Sequence, residues 1–333
     1  MVRFGIIGTG RISDWVLKGA EQDPRITVTA ICSRSFAAAE AFLKRNPIAQ
    51  NARIYTSVDE MTKDHEVDAV YIGTPNQTHC EYAVICMNAG KHVLCEKPLA
   101  SSAAEGRAMI DAARKNGCIL MEAMISTLNP HFRNIASRID DISPVRHYSS
   151  CFCQYSTKYE ALKRGEVANS FMPGTAGALR DVGIYTIYPL VALFGRPESI
   201  ESKVQTFVTG EGVTDIHGTA LFFYNGMEAS LTWSKVCDSF QPTEITGEKG
   251  NLILDEIHIA RRSEIVPHSA PTSGQGPKGK RIIIDEGLPK NEYYYEFKEF
   301  ADLIEHGSSE SAANSLQTSL SVLEIIDEIL TKL

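Results

Sequence analysis

A basic surface is the first thing this sequence lacks. Forty-one acidic side chains face 33 basic ones, a formal net charge of −8, so no electrostatic attraction draws the chain to nucleic acid or to an anionic membrane. No apolar run approaches the roughly 20 residues of a membrane-crossing helix. Residues 1–7 pass directly into a strand-like stretch, with no n-region, h-region or cleavage site ahead of it. No zinc-type CxxC pair is present. The eight cysteines (Cys32, Cys80, Cys86, Cys95, Cys118, Cys151, Cys153 and Cys237) are scattered through mostly apolar segments. They read as small buried hydrophobes in a reducing compartment, and the expected location is cytoplasmic. Internal repeats and low-complexity tails are missing too.

What is there is a length of 333 residues with 43% hydrophobic side chains, comfortable for two domains. Up to about residue 123, short apolar strands alternate with amphipathic helices over short connections, which predicts a parallel sheet covered on both faces. Strands are expected at 2–7, 26–32, 52–55, 67–72, 92–95 and 119–121. Helices are expected at 12–22, 37–44, 77–89 and 102–116. The helix at 77–89 is read with Tyr82, Ile85, Cys86 and Ala89 inward. Ser57 with Glu60, and Ser102 with Glu105, have capping-box spacing.

After Glu122 the pattern changes. A helix over 129–139 precedes long alternating segments at 146–155, 199–208, 217–224, 228–233, 243–247, 252–254 and 281–284, which predict a mostly antiparallel sheet with one apolar face. Asn225-Gly226 marks a hairpin turn. A surface loop is expected over 272–280, and helices over 292–305 and 315–330 end the chain. The fold class is therefore α/β: a doubly wound dinucleotide-binding domain over 1–123, then an α+β substrate and dimerisation domain over 124–333. The sheet's uncovered face would suit a homodimer or a dimer of dimers.

Three strand ends carry the chemistry, because in open α/β sheets ligands bind at the carboxyl ends of the strands. Gly8-Thr9-Gly10-Arg11-Ile12-Ser13 follows the first strand and opens a helix. Gly8 permits the tight turn, and Gly10 lets the backbone approach a pyrophosphate seated on the helix N-terminus. Ser13 takes the third glycine's place. The second strand ends in Ser33 and Arg34, where an NAD enzyme usually has a carboxylate. A hydroxyl and a guanidinium can both donate to a 2′-phosphate, so NADP is expected over NAD. Thr74, Pro75, Asn76 and His79 follow the fourth strand and could line the cofactor cleft, although Asn76 also suits a helix N-cap. The fifth apolar strand stops abruptly at Glu96-Lys97-Pro98, a carboxylate and an ammonium with no place in a core.

In order and spacing, GTGRIS, TPNQTH and CEKPL resemble the glucose–fructose oxidoreductase / inositol dehydrogenase / rhizopine-catabolism (Gfo/Idh/MocA) family. The similarity extends over the whole chain, including the stretch from Gly177 to Tyr185. It is greatest to the branch of dimeric dihydrodiol dehydrogenase and NADP-xylose dehydrogenase. The resemblance implies that Lys97 is catalytic, that the Lys97–Pro98 bond is cis, and that Asp181 and Tyr185 complete the site. Many members carry His where this chain has Tyr185.

Asp181 and Tyr185 are four apart and share one face of a helix, approached through the flexible stretch 174–178. The expected reaction is reversible hydride transfer between nicotinamide C4 and a hydroxyl-bearing carbon of a sugar, cyclic diol or related polyol. A tyrosine with its ordinary pKa of about 10 is a poor base at neutral pH, and a neighbouring ammonium lowers that value. Tyr185 is thus read as the acid/base and Lys97 as the group that tunes it, with Lys97 as proton donor the alternative. Phe152, Phe171 and the 272–280 loop are expected to shape the pocket. A glycosidase of the same fold using tightly held NAD, and a non-catalytic NADP-binding regulator, are the competing readings. Neither a metal nor a macromolecular partner beyond a second copy is expected.

Overall fold

A computed structural model describes residues 1–268, 279–284 and 290–332. The chain forms two compact units, one of Met1–Ile125 with Lys290–Glu324, the other of Ser126–Pro289 with Ile325–Leu333.

In the first unit the chain alternates strictly. It runs β1 (Val2–Ile7), α1 (Arg11–Ala20), β2 (Ile26–Cys32), α2 (Phe36–Arg45), β3 (Arg53–Tyr55), α3 (Val58–Met61) and β4 (Ala69–Ile72). It continues through α4 (His79–Asn88), β5 (His92–Glu96), α5 (Ala103–Asn116) and β6 (Leu120–Ala123). The six strands pair in parallel in the order β3-β2-β1-β4-β5-β6, the doubly wound order with its switch point between β1 and β4. Every residue of β4 and β6 is buried, as expected when helices cover both faces of a sheet.

Several local expectations are corrected. Ser57 makes no side-chain cap, whereas Ser102 accepts from the Glu105 amide. The helix expected at 77–89 begins with a 3₁₀ turn, Asn76–Thr78, and turns His79, Ala83, Cys86 and Met87 inward. That opening turn rotates the buried face, so Tyr82 and Ile85 are only half-buried and Ala89 is exposed.

In the second unit α6 (Ile125–Leu128) precedes the helix expected at 129–139, which divides into α7 (Pro130–Ser137) and α8 (Ile139–Ile142). Its start has a local cause: the Asn129 side chain caps α7 by accepting from the His131 amide, and Pro130 sits in its first turn. The strands are β7 (Val145–Cys153), β8 (Ser199–Thr209), β9 (Gly212–Tyr224), β10 (Met227–Ser234), β11 (Thr243–Gly247), β12 (Gly250–Leu254), β13 (Ser263–Pro267) and β14 (Ile282–Ile284). α9 (Tyr159–Lys163) and α10 (Ile184–Phe194) lie between β7 and β8 in sequence. The eight strands pair in the order β14-β13-β12-β11-β7-β10-β9-β8, antiparallel except for β7 beside β10. β13 has no counterpart among the expected strands. The loop expected over 272–280 lies outside the described residues apart from Gly279 and Lys280. Alternation sorts the sheet as expected: Ala220, Phe222, Ala229, Leu231 and Trp233 are buried, while Thr219, Leu221, Ser230 and Thr232 point to the other face.

The last two helices are α11 (Tyr294–His306) and α12 (Leu316–Leu330). Placing everything after residue 123 in the second domain proves too simple, because Lys290–Glu324 returns to the first unit. Aromatic packing explains the return: Phe4 of β1 meets Phe297 and Phe300 of α11 at ring-centroid distances of 5.1 and 5.7 Å, and Phe297 also touches Tyr71. Gly19 of α1 makes the approach possible, since a Cβ there would lie 2.4 Å from the Tyr293 carbonyl carbon. Gly106 of α5 would meet only the end of the Leu323 side chain. Gly19→Ala is expected to lose about 1–3 kcal/mol to overpacking against rigid backbone. Gly106→Ala should be near neutral, because about 1 kcal/mol of helix propensity offsets a contact that can yield. Thermal or urea unfolding of the two variants checks the contrast.

Candidate active site

The first unit gathers its expected residues at the carboxyl ends of β1, β2, β4 and β5. Gly8 adopts a φ of +101°, and a Cβ on it would lie 2.6 Å from the Gly73 carbonyl oxygen after β4. Only glycine fits there. Ser13 holds this turn closed by donating its hydroxyl to the Gly8 carbonyl at 2.8 Å, so it takes the third glycine position without opening the loop. A Cβ on Gly10 would meet nothing within 4 Å, and Gly10 is the N-cap of α1. Backbone amides and the helix dipole are therefore open to an anion at this point, followed by Arg11 and Ile12.

Ser33 and Arg34 follow β2. The Ser33 hydroxyl lies 3.3 Å from that of Thr9, Arg34 is exposed, and Ser35 caps α2. Arg45, which the sequence did not single out, reaches back from the end of α2 to the Thr9 carbonyl and to Asp14. The donor set fits a pyrophosphate on α1 and a phosphate beside Ser33 and Arg34.

At the end of β5, Lys97 is half-buried and the Lys97–Pro98 peptide is cis. Carboxylates hold the backbone on either side. Glu96 accepts from the Tyr71 hydroxyl at 2.7 Å and from the Lys97 amide at 3.3 Å. Glu122 of β6 accepts from the Leu99 amide at 2.9 Å. His79, expected at the cofactor, is corrected to an internal tie. It is fully buried, and its two ring nitrogens lie 2.9 Å from the carbonyl oxygens of Thr74 and Pro98. It links the loop after β4, with Thr74, Pro75 and Asn76, to the loop after β5. Burial lowers its pKa more than the two carbonyls raise it.

The second unit holds Asp181 and Tyr185. Of residues 176–191, these two alone escape full burial. Asp181 lies in a π-helical turn, Leu179–Gly183, and Tyr185 in the first turn of α10. Such turns are frequent at functional sites. The approach, expected to be flexible, is pinned: Asp215 accepts from the Leu179 amide at 2.6 Å, and its Oδ1 occupies the place of a Cβ on Gly177, whose φ is +117°. Burial raises the Asp215 carboxyl to about 6.

The Tyr185 ring meets Phe152 edge-on at 5.3 Å, and Phe152 stacks on His258 at 4.3 Å. Phe171 is fully buried beneath Lys235 rather than lining a pocket. Lys235 was missed by the sequence reading. It directly follows β10, whose alternation signals only core, and nothing local tells that its ammonium turns inward to Asp181.

Glu122 gives this part of the fold a pH signature. Burial raises its carboxyl to about 7, with the Leu99 amide and Ser319 offsetting part of the shift. The folded state therefore binds a proton that the unfolded chain has already lost above about pH 4.5. Stability from this group is full below that pH and declines as pH rises through about 7. Glu122→Gln should remove on the order of 3 kcal/mol of that dependence. Urea titrations between pH 5 and 8 measure it, and a variant with the wild-type slope contradicts the assignment.

Comparison with known proteins agrees with the fold. Residues 2–124 match the model of the Gfo/Idh/MocA oxidoreductase family with NAD-binding Rossmann fold, and residues 136–253 match a C-terminal domain of the same family. The chain is 40% identical over 329 residues, 98% of its length and 96% of the other, to scyllo-inositol 2-dehydrogenase (NADP(+)) IolU of Bacillus subtilis (strain 168). It is 27% identical to trans-1,2-dihydrobenzene-1,2-diol dehydrogenase of Bos taurus, over 98% of this chain and 96% of that one. Among solved structures it shares its fold with the aldose-aldose oxidoreductase of Caulobacter crescentus at a TM-score of 0.82 and 20% identity, covering 99% and 96% of the two chains. A 3-ketoreductase from Actinomadura kijaniata in complex with NADP gives 0.79 at 22% identity, covering 99% and 97%. With its glycine turn, its strand-end lysine and its matched C-terminal domain, the chain belongs to the Gfo/Idh/MocA oxidoreductase family.

Proposed function

We propose that this protein is an NADP-dependent dehydrogenase or reductase of polyols, cyclic diols or sugars, in which Lys97 and Tyr185 serve one reaction. One observation carries the reading. Across residues 176–191, which take in a π-helical turn and most of α10, only a carboxylate and a phenol, Asp181 and Tyr185, are not buried, in a chain whose other unit carries a lysine at a strand end.

Gly8, Thr9, Gly10, Arg11 and Ile12 would hold the pyrophosphate; Ser33 and Arg34 the 2′-phosphate; Thr74, Pro75, Asn76, Glu96 and Lys97 the nicotinamide end. NADP preference is supported by the donors at Ser33 and Arg34, and by a relative whose name carries NADP(+). When bound, the cofactor supplies the two-electron partner of the alcohol. Tyr185 takes the proton of the reacting hydroxyl during oxidation and returns it during reduction. The Lys97 ammonium favours the phenolate and polarises the same oxygen. Asp181 accepts from a second hydroxyl.

The eight free cysteines support a reducing, cytoplasmic location. The outer face of the eight-stranded sheet, with its short side chains at Ser149, Thr219, Ser230 and Thr232 and with Leu221 41% exposed, supports a homodimer through that face. Sedimentation should show a dimer, and a monomer at micromolar concentration removes that part of the reading. No helix among the described residues is long and apolar enough to cross a membrane.

Absorbance assays with a panel of polyols, cyclic diols and sugars test the activity. KM should be lower for NADP(H) than for NAD(H), and Arg34→Ala should narrow that difference. Lys97→Met and Tyr185→Phe should each lower kcat by about 10²-fold or more with cofactor binding retained. Wild-type turnover in Lys97→Met rules the mechanism out.

A further inference from the structure

Lys235 is a buried cation in a part of the second unit where an apolar residue would be cheaper. Its Nζ lies 2.6 Å from Asp181 Oδ2 and 2.6 Å from the Ser170 carbonyl oxygen, and 4.1 Å from the centre of the Phe171 ring. The side chain is 3% exposed, against 36% for that of Asp181. Taking an ammonium out of water costs several kcal/mol unless its partners are well placed. Here a carboxylate, a carbonyl and an aromatic face supply them.

The pair is lopsided. Its cation is sealed in the core, and its anion emerges beside Tyr185. A sealed cation with an emerging anion fixes the direction in which the carboxylate faces outward. Asp181 is also held at its backbone, because Asp215 pins the start of the same turn through the Leu179 amide. Gly183 closes the turn against Trp233, where a Cβ would lie 2.9 Å from the indole. Four charged groups thus surround one turn, Arg180 and Lys235 against Asp181 and Asp215, with Arg180 also paired to Asp327.

We propose that Lys235 is a positioning residue for substrate recognition: it holds Asp181 as a fixed, ionised acceptor for a hydroxyl neighbouring the reacting one, which selects polyols with vicinal hydroxyls. The inference rests on Asp181 and Tyr185 being the substrate end of the proposed dehydrogenase. A carboxylate anchored through one oxygen loses little further rotamer freedom when it receives a hydroxyl, and charge-assisted hydrogen bonds are about twice as strong as neutral ones. Without Lys235, Asp181 loses the contact that holds its Oδ2 inward, and its carboxylate is less firmly set toward the hydroxyl.

The test is calorimetric titration of NADPH-loaded enzyme with scyllo-inositol, a combination in which the alcohol binds without turnover. Lys235→Met should weaken scyllo-inositol binding by about 10- to 100-fold and leave NADPH affinity unchanged. Asp181→Asn should weaken it similarly, and the double variant should be no weaker than Asp181→Asn alone. A merely structural lysine would shift the melting temperature without this non-additivity. If Lys235→Met does not fold, Lys235→Arg retains the charge but displaces the contact point, and the same loss is expected. Wild-type-like binding in either folded variant, multiplicative losses in the double variant, or no binding by the wild type each overturns the proposal. Intact binding with no NADPH formed from NADP⁺ and scyllo-inositol overturns the dehydrogenase reading alone.

Discussion

In the first unit the loops after β4 and β5 depend on a buried imidazole lodged between two backbone carbonyls. His79 lies 2.9 Å from the carbonyl oxygens of both Thr74 and Pro98, so the loops after β4 and β5 are set against each other through one rigid ring. Burial keeps the ring neutral with one N–H, so it donates to one of the two carbonyls at a time, and a ring packed from two sides cannot rotate. Around it Glu122 takes the Leu99 amide and Glu96 takes the Tyr71 hydroxyl. The loop that carries Lys97 is thereby held at Glu96, Pro98 and Leu99.

The second unit solves a similar problem with opposite means. Its π-helical turn is held by ionic groups. Asp215 is pressed into the space left by Gly177, and Lys235 is sealed beneath Asp181. In both units polar groups with almost no exposure fix the backbone, and the groups proposed to meet ligand, Lys97, Asp181 and Tyr185, are those left partly open. Preorganisation of this kind lowers the cost of holding a reacting group in a productive direction.

Much of the architecture is local and was legible in the residues. The strand–turn–helix of Val2 to Ala20, the period-2 alternation of β9 and β10, and the turn at Asn225-Gly226 announce themselves, because each depends on neighbours within a few positions. Ser102 capped its helix as read, while Ser57 did not, since a cap needs an approach angle as well as a spacing. The helix start at Asn129 is as read, through its side-chain cap, whereas the inward face of the helix at 77–89 was misjudged, because a 3₁₀ turn at Asn76 sets which residues point inward.

By itself the sequence determined the doubly wound half, the glycine turn, the donors at Ser33 and Arg34, the strand-end Lys97, and the spacing of Asp181 and Tyr185. These follow from short-range stereochemistry, where residue type and order are sufficient. Tertiary structure alone decided that α11 packs with β1 through Phe4, that His79 is buried between two backbone carbonyls, and that Lys235 lies under Asp181. Apart from His79 and Thr74, those pairings join residues 19 or more positions apart. What a buried polar side chain does depends on the partner that folding delivers to it, and no local pattern encodes that partner.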